Sequence, residues 1–481
     1  MSKIIDKKQK LKVAIKTFGC QMNEYDSQVA EGILEHQGFF ITEDERKADV
    51  VLMNTCSVRE HAEDRVYGRL GMLGKANREN PNLIVGLMGC MVEEHREKLF
   101  KRFPQLDLMV GTRNIKELPA LIDEVAKTRT QVARIKQDGI SIEYTDLIKR
   151  QGKSHAWLPI MTGCNKVCTF CIVPITRGPE VSMPAREVYR EASRLVEEGV
   201  KWITLLGQNV NSYNGQEAST VIARSPADFG GPTKQSQGSE VASASLGMSP
   251  RNDGVGFPEL LELLCQIKGL ERISFTTSHP SDATEELFQV IRLNPKISRR
   301  FHLPLQSGSD RILKRMKRLH TYEEYKNKIG QLRDLVPDIS ITTDIIVGFS
   351  GEIEEDYEAT KRALEEIRYD GAYIYKYSVR PATPAAKLED GVPFETKEKR
   401  NAELLAIQRQ ITREKNRAWL GRTVEVFAED RSSKRADELL GRTLQEKKAV
   451  FPGPAELIGT FQKVILLDAK NETFQGSLAP E

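Results

Sequence analysis

The chain has 481 residues, too many for one compact core at roughly 100–200 residues per domain, so two to four domains are expected. Apolar residues make up 39% and charged residues 29%, and no uncharged apolar run approaches the roughly eighteen residues of a membrane span, so a soluble globular protein is expected. The balance of 71 basic against 68 acidic side chains, a net +3, neither demands nor excludes nucleic acid, because local patches set the binding field.

The first twelve residues, Met1 to Lys12, lack both an apolar core and a small-residue cleavage site, so no secretory signal is read and a cytoplasmic address is expected. Over residues 1–126 a strand–helix rhythm repeats three times. Val13-Ala14-Ile15, Asp49 to Met53 and Leu83 to Leu87 suit buried parallel strands, and a charged segment of helical spacing follows each. The alternation predicts an α/β layer domain. A polar connector over 127–153 follows, with a turn expected at Lys136-Gln137-Asp138-Gly139.

A second series fills residues 154–416. Its strand candidates are Trp157 to Met161, Trp202 to Leu206, Ile273 to Thr276, His302 to Leu305, Ile339 to Thr343 and Ala372 to Tyr377, with helices expected at Arg186–Glu198, Pro258–Lys268 and Glu352–Arg368. The pattern fits an open sheet or an incomplete β/α barrel, and in both architectures ligands gather at the carboxyl ends of the strands. Residues 214–256 are rich in Gly, Ser, Pro, Ala and Gln without apolar period and read as a long mobile loop, a neutral insertion by composition. After a charged helix from Lys397 to Leu420, residues 417–481 carry short β-like runs, including Val424 to Phe427, Ala449 to Phe451 and Val464 to Leu467. That texture predicts a small all-β barrel.

Seven cysteines in a chain of this kind point to metal ligands or reactive thiols rather than to a disulfide framework. Cys164, Cys168 and Cys171 form a C-x3-C-x2-C run at the end of the first strand of the second series. Three thiolates on one loop hold three irons of a 4Fe-4S cluster and leave the fourth open to another ligand. The alternative is a zinc site, which needs a fourth ligand that only His155 is near enough in sequence to offer. Cys20, Cys56 and Cys90 are far apart in sequence, yet each follows one of the three amino-terminal strands, whose ends share one edge in a parallel sheet. Taken singly, each would be an inert buried thiol. Cys265 sits at helical spacing among leucines and is assigned to the core.

The C-x3-C-x2-C run, with the aromatic Phe170 just before its third cysteine, resembles the motif of the radical S-adenosylmethionine (SAM) superfamily. Joined to a second thiol triplet on an amino-terminal α/β domain, it resembles the methylthiotransferase family of radical SAM enzymes. Thr17-Phe18-Gly19-Cys20-Gln21-Met22-Asn23 and Asn54-Thr55-Cys56-Ser57-Val58-Arg59-Glu60 are similar to its tRNA-modifying branch, as are Leu206 to Val210, Phe275 to Pro280, His302 to Gly308 and Thr343 to Phe349. The resemblance implies an amino-terminal parallel-sheet α/β domain, a central partial (β/α)6 radical SAM barrel and a terminal all-β TRAM barrel that binds RNA. It implies two 4Fe-4S clusters, on Cys20, Cys56 and Cys90 and on Cys164, Cys168 and Cys171, with SAM as cofactor.

It further implies that Phe170, Gln208, Thr277, Gln306, Asp344 and Val347 border SAM. The implied reaction replaces C2–H of N6-isopentenyladenosine at position 37 of tRNA by S–CH3, one SAM giving the methyl group and a second giving the 5′-deoxyadenosyl radical. The implied partners are a tRNA anticodon stem-loop, an electron donor of flavodoxin or ferredoxin type and a sulfur donor that the sequence does not identify. A monomer is expected, with no membrane association. Pro179 stands where the family carries a basic residue and Ser350 where it carries proline. Basic residues after Gln306-Ser307-Gly308 (Arg311, Lys314, Arg315, Lys317, Arg318) and in the terminal barrel (Arg431, Lys434, Arg435, Arg442, Lys447, Lys448) are read as phosphate contacts. The competing readings are the same chemistry on threonylcarbamoyladenosine or on a ribosomal-protein aspartate, and a noncatalytic RNA-binding metalloprotein.

Overall fold

The computed structural model describes residues 11–57, 60–135, 147–150, 152, 154–215, 254–435, 437–470 and 472–480. The expected turn at Lys136–Gly139 and all but the ends of the expected loop 214–256 lie outside the described residues.

The amino-terminal sheet has six parallel strands: β1 (Lys12–Phe18), β2 (Phe40–Ile41), β3 (Val50–Thr55), β4 (Ile84–Gly89), β5 (Leu108–Val110) and β6 (Val132–Arg134), in the order β2-β1-β3-β4-β5-β6. Strands β3 and β4 are buried along their whole length because both faces are covered. Val50 and Leu52 point to the helices Gln21–His36 and Leu118–Thr128 through Ala30, Leu34, Leu121 and Ile122. Val51 and Met53 point the other way, to Val66 and Leu70 of the helix Glu60–Glu79. The three shortest strands lack enough residues to show a period and were not expected. Strand β6 also corrects the connector read from residue 127, since that segment completes the sheet.

The second body contains β7 (His155–Pro159), β8 (Met161–Thr162), β9 (Val181–Ser182), β10 (Trp202–Leu206), β11 (Asn214–Gly215), β12 (Val255–Gly256), β13 (Arg272–Phe275), β14 (Arg300–His302), β15 (Ser340–Val347) and β16 (Gly371–Lys376). Strands β7, β10 and β13 pair in parallel, as do β14, β15 and β16, and a parallel bridge from Ile273 to Ile297 joins the two groups. Six parallel strands in chain order, with Leu158, Ile203, Ile273, Phe301, Ile341 and Ile374 among their core residues, make the partial barrel. The first expected strand is divided after Pro159, and β8 turns aside to pair with β9 in an antiparallel hairpin. The fourth runs shorter than expected, ending at His302 ahead of Pro304, which has no N–H for a ladder. Cys265 closes the helix Phe257–Cys265 and packs on the barrel core as expected.

Strands β11 and β12 pair antiparallel, Asn214 opposite Gly256 and Gly215 opposite Val255, so Gly215 and Gly254, which flank segment 216–253, lie side by side. Joining them through a two-residue Asn-Gly turn is a connection this geometry accepts. That shortened chain is expected to keep its melting temperature and iron content, measured by calorimetry and iron assay; loss of either shows that the insertion carries structure.

The helix Phe394–Arg417 leads to a closed barrel of β17 (Thr423–Arg431), β18 (Glu438–Thr443), β19 (Lys448–Pro452), β20 (Phe461–Lys470) and β21 (Thr473–Leu478), filled by Val426, Leu439, Phe451, Val464 and Phe474. It docks on the amino ends of the central strands. Arg272, 1% exposed, lies near the rings of Trp202 and Phe461 at 5.3 and 4.6 Å and donates to the carbonyls of Arg442 and Thr443, both at 3.3 Å. Glu446 pairs with Arg300 at 3.1 Å and Lys447 with Asp370 at 3.0 Å.

Candidate iron–sulfur and SAM site

Strands β1, β3 and β4 are neighbours, with Phe18 opposite Thr55 and Thr55 opposite Gly89, so Cys20, Cys56 and Cys90 leave the sheet from one row. A buried amide network locks these ends. Asn54 Nδ2 donates to the Asn23 carbonyl at 2.8 Å and to Ser27 Oγ at 3.0 Å, and Asn23 Nδ2 donates to Asn54 Oδ1 at 3.0 Å. Asn23 Oδ1 accepts from the Cys20 N–H at 3.2 Å and lies 3.4 Å from Cys20 Sγ. Gly89 has φ +98°, and a Cβ there would overlap the Thr55 carbonyl and the Asn54 side chain. The motifs around Cys20 and Cys56 are thus the two sides of one clamp. The hydrogen bond from Cys56 lowers the Cys20 thiol below its ordinary range against the cost of burial, with help from the charge of Arg177. Burial raises Cys90, and the Arg177 charge opposes it.

The second triplet hangs from the β8–β9 hairpin. Gly163, at φ +76°, faces the Pro179 carbonyl so closely that a Cβ would overlap it, and its N–H donates to Gln208 Oε1 at 2.5 Å. The Cys164 N–H donates to the Gly178 carbonyl at 3.2 Å, the Lys166 N–H reaches Cys164 Sγ at 3.5 Å, and the Cys171 N–H donates to the Cys168 carbonyl at 3.1 Å. Arg318 Nη1 donates to Cys168 Sγ at 3.5 Å, and His279 Nε2 lies 4.0 Å from the same sulfur. Burial, then the Arg318 charge, pushes His279 down to about 2, so the imidazole is neutral. Burial pushes Cys171 up to about 12 and also raises Cys164.

Of the residues expected to border SAM, Gln208, Thr277 and Gln306 follow β10, β13 and β14, Asp344 lies within β15, Val347 ends it, and Phe170 stands on the cysteine loop. Gln208 holds the cysteine loop through Gly163, and Thr277, at φ +66°, donates from Oγ1 to the Gly207 carbonyl at 2.6 Å. Gln306, at φ +74°, is fixed by backbone bonds to Asp344 and Ile346, both 2.9 Å, and its buried Oε1 has no hydrogen-bond partner among the described residues. Asp344 is 28% exposed and lies 3.4 Å from His302 Nε2. Phe170 packs edge-on against Phe349 at 6.4 Å. Val347 is 1% exposed, its side chain within the barrel core.

All seven cysteines are free. Among the described residues, the one group of three His, Cys, Asp or Glu side chains with ligand atoms within 4.8 Å of one another is Glu63, Glu94 and His95. Neither thiol triplet meets that spacing as a whole, although Cys56 is close enough to hydrogen-bond Cys20. His155, the fourth ligand of the zinc alternative, begins β7, at the opposite end from the cysteines, and bonds Thr204 Oγ1 at 2.9 Å. The residues fit two clusters.

The basic residues divide differently from expectation. Arg318 is 9% exposed and serves Cys168, Arg311 is ion-paired with Asp356, and Arg315 donates to the Ser350 carbonyl at 3.0 Å. Arg442 pairs with Glu429 at 2.8 Å, and Lys447, half-buried, pairs with Asp370 in the docking interface. Lys314, Lys317, Arg431, Lys434, Arg435 and Lys448 are the exposed remainder. Arg177, Arg318, His279 and Asn54 were not singled out from sequence as site residues, although Asn54, Arg177 and His279 stand inside or beside the quoted motifs.

Residues 12–111 match the family described as "Uncharacterized protein family UPF0004", and residues 158–364 match the radical SAM superfamily. A tRNA-2-methylthio-N(6)-dimethylallyladenosine synthase of Dictyoglomus thermophilum is 41% identical over 98% of this chain and 99% of its own length. One of Carboxydothermus hydrogenoformans is 40% identical over 96% of this chain and 98% of its own. A radical SAM methyltransferase of Kitasatospora setae, solved with tryptophan and a SAM analogue, shares the fold at TM-score 0.52 and 13% identity, covering 78% of this chain and 75% of its own. Two thiol triplets on one polypeptide and full-length identity at this level agree: the chain belongs to the tRNA-2-methylthio-N(6)-dimethylallyladenosine synthase family of radical SAM enzymes.

Proposed function

We propose that this chain converts N6-isopentenyladenosine at position 37 of tRNA to its 2-methylthio derivative. The observation that carries the reading is the pair of cysteine triplets, one at the carboxyl edge of each parallel sheet, each supplying three ligands. Bound there, two 4Fe-4S clusters and SAM supply the methyl group and the one-electron chemistry that a C2–H bond, neither acidic nor displaceable, requires. The chain's own residues position and shield. Cys164, Cys168 and Cys171 hold one cluster, with Arg318 and His279 facing Cys168; Cys20, Cys56 and Cys90 hold the other.

Gln306 Oε1 is a buried acceptor already in place for a ligand N–H or O–H, held by a strained backbone at a strand end. Asp344 offers a carboxylate nearby, Gln208 and Thr277 fix the loops, and Phe170 and the Val347 backbone supply apolar and main-chain contact. A single-stranded loop base extruded toward the clusters is the substrate form, with Lys314, Lys317, Arg431, Lys434, Arg435 and Lys448 as phosphate contacts. The reading includes a flavodoxin- or ferredoxin-type electron donor, a cytoplasmic location and a monomer.

Anaerobic reconstitution is expected to yield about eight irons per chain, two clusters of four; a chain that holds four or fewer, or zinc, overturns the two-cluster reading. With SAM, reductant and an isopentenylated anticodon stem-loop, the methylthio nucleoside is expected by mass spectrometry. Product from a threonylcarbamoyladenosine stem-loop or a ribosomal protein instead would move the assignment to the sister substrate.

A further inference from the structure

The segment that carries Cys171 runs on through the short helix Val173–Thr176 to Arg177, and Arg177 belongs spatially to the other thiol triplet. Its side chain is 3% exposed, and Nη2 donates at 2.7 Å to Oδ2 of Asp26, 4% exposed, on the helix that opens at Cys20. The backbone is pinned from the same side, with the Arg177 carbonyl accepting from Arg113 Nη2 at 2.8 Å. Nη1 is buried with no hydrogen-bond partner among the described residues. A guanidinium taken out of water is costly unless every donor is answered, and Asp26 answers only one side. Cys90, a side-chain hydrogen-bond partner of Arg177, and Cys20 are the two thiols on which the Arg177 charge acts.

We propose that Arg177 is a positioning residue of the Cys20–Cys56–Cys90 site, its free Nη1 donating to the sulfur-rich group held there and its charge, balanced by Asp26, setting that group's reduction potential. The inference rests on the reading that this triplet holds a 4Fe-4S cluster. A cation beside a cluster favours the reduced, more negative state, and charge and hydrogen bonds to sulfur are recognised determinants of cluster potential. The arrangement also makes one short segment serve both halves: Cys171 at its start ligates one cluster, and Arg177 at its end sets the charge at the other.

The test uses the full chain carrying Cys164→Ala, Cys168→Ala and Cys171→Ala, which holds the amino-terminal cluster alone, titrated reductively and followed by electron paramagnetic resonance. Arg177→Gln is expected to shift the midpoint to more negative potential and Asp26→Asn to shift it to more positive potential. Arg177→Lys, which keeps charge but not the fork, is expected to shift it less than Arg177→Gln. Midpoints that stay put, or that move the same way for Arg177→Gln and Asp26→Asn, overturn the proposal, because a merely structural ion pair has no reason to produce opposite signs. If Arg177→Gln loses its iron, the Asp26→Asn and Arg177→Lys shifts decide. If the parent variant binds no 4Fe-4S cluster, the two-cluster reading fails, which is a different result from an unmoved potential.

Discussion

Cys168→Ala is expected to stop 5′-deoxyadenosine formation outright, whereas Cys90→Ala is expected to leave it running and stop only the appearance of methylthiolated nucleoside. Cys168 is 8% exposed, and it alone among its triplet receives the Arg318 guanidinium at 3.5 Å. Removing it takes one of three ligands and leaves a buried cation facing a methyl group, so neither the cluster nor its surroundings are compensated. Cys90 begins the helix Cys90–His95 on a different sheet, and its loss touches the Asn23–Asn54 clamp only at its edge. Both variants are assayed anaerobically with SAM and dithionite, 5′-deoxyadenosine and nucleoside products being measured by chromatography and mass spectrometry. SAM cleavage at the parent rate in Cys168→Ala sinks the division of labour, as does methylthio product from Cys90→Ala.

The Cys20–Cys56–Cys90 triplet was readable because a parallel sheet converts sequence position into place: a cysteine just past a strand lands on a known edge whatever its distance from the next. Gln208 and Thr277, expected from the resemblance, follow β10 and β13 in the same way. Val347, expected from the resemblance alone, ends β15, and its side chain alternates into the barrel core. Arg318 and Arg177 were illegible. A run of basic residues gives charge but not direction, and only packing shows that Arg318 turns inward while Lys317 turns out. The short strands β2, β5 and β6 escaped because two or three residues carry no period, and their place comes from pairing with β1, β4 and one another.

Arg272→Ala is expected to cost about 3–5 kcal/mol of stability, read from urea denaturation, because it opens a cavity between Trp202 and Phe461 and strands two carbonyls that the guanidinium satisfied. Arg272→Met refills the volume without the donors, so it should recover part of that loss, and the difference between the two variants separates packing from hydrogen bonding. Glu425, its ion partner, is 58% exposed and contributes little once freed into water. Function should respond unevenly. Arg272 is the first residue of β13, while Thr277 and the cysteine loops lie at the opposite ends of the strands, so the docking interface and the clusters are separated by the length of the barrel. Loosening the terminal barrel is therefore expected to weaken stem-loop binding, measured by filter retention, while uncoupled SAM cleavage continues at the parent rate. An unchanged denaturation midpoint would show that the two bodies do not depend on this contact. Equal loss of SAM cleavage would show instead that the docked barrel shapes the central fold itself, and RNA affinity would then be the wrong quantity to assign to it.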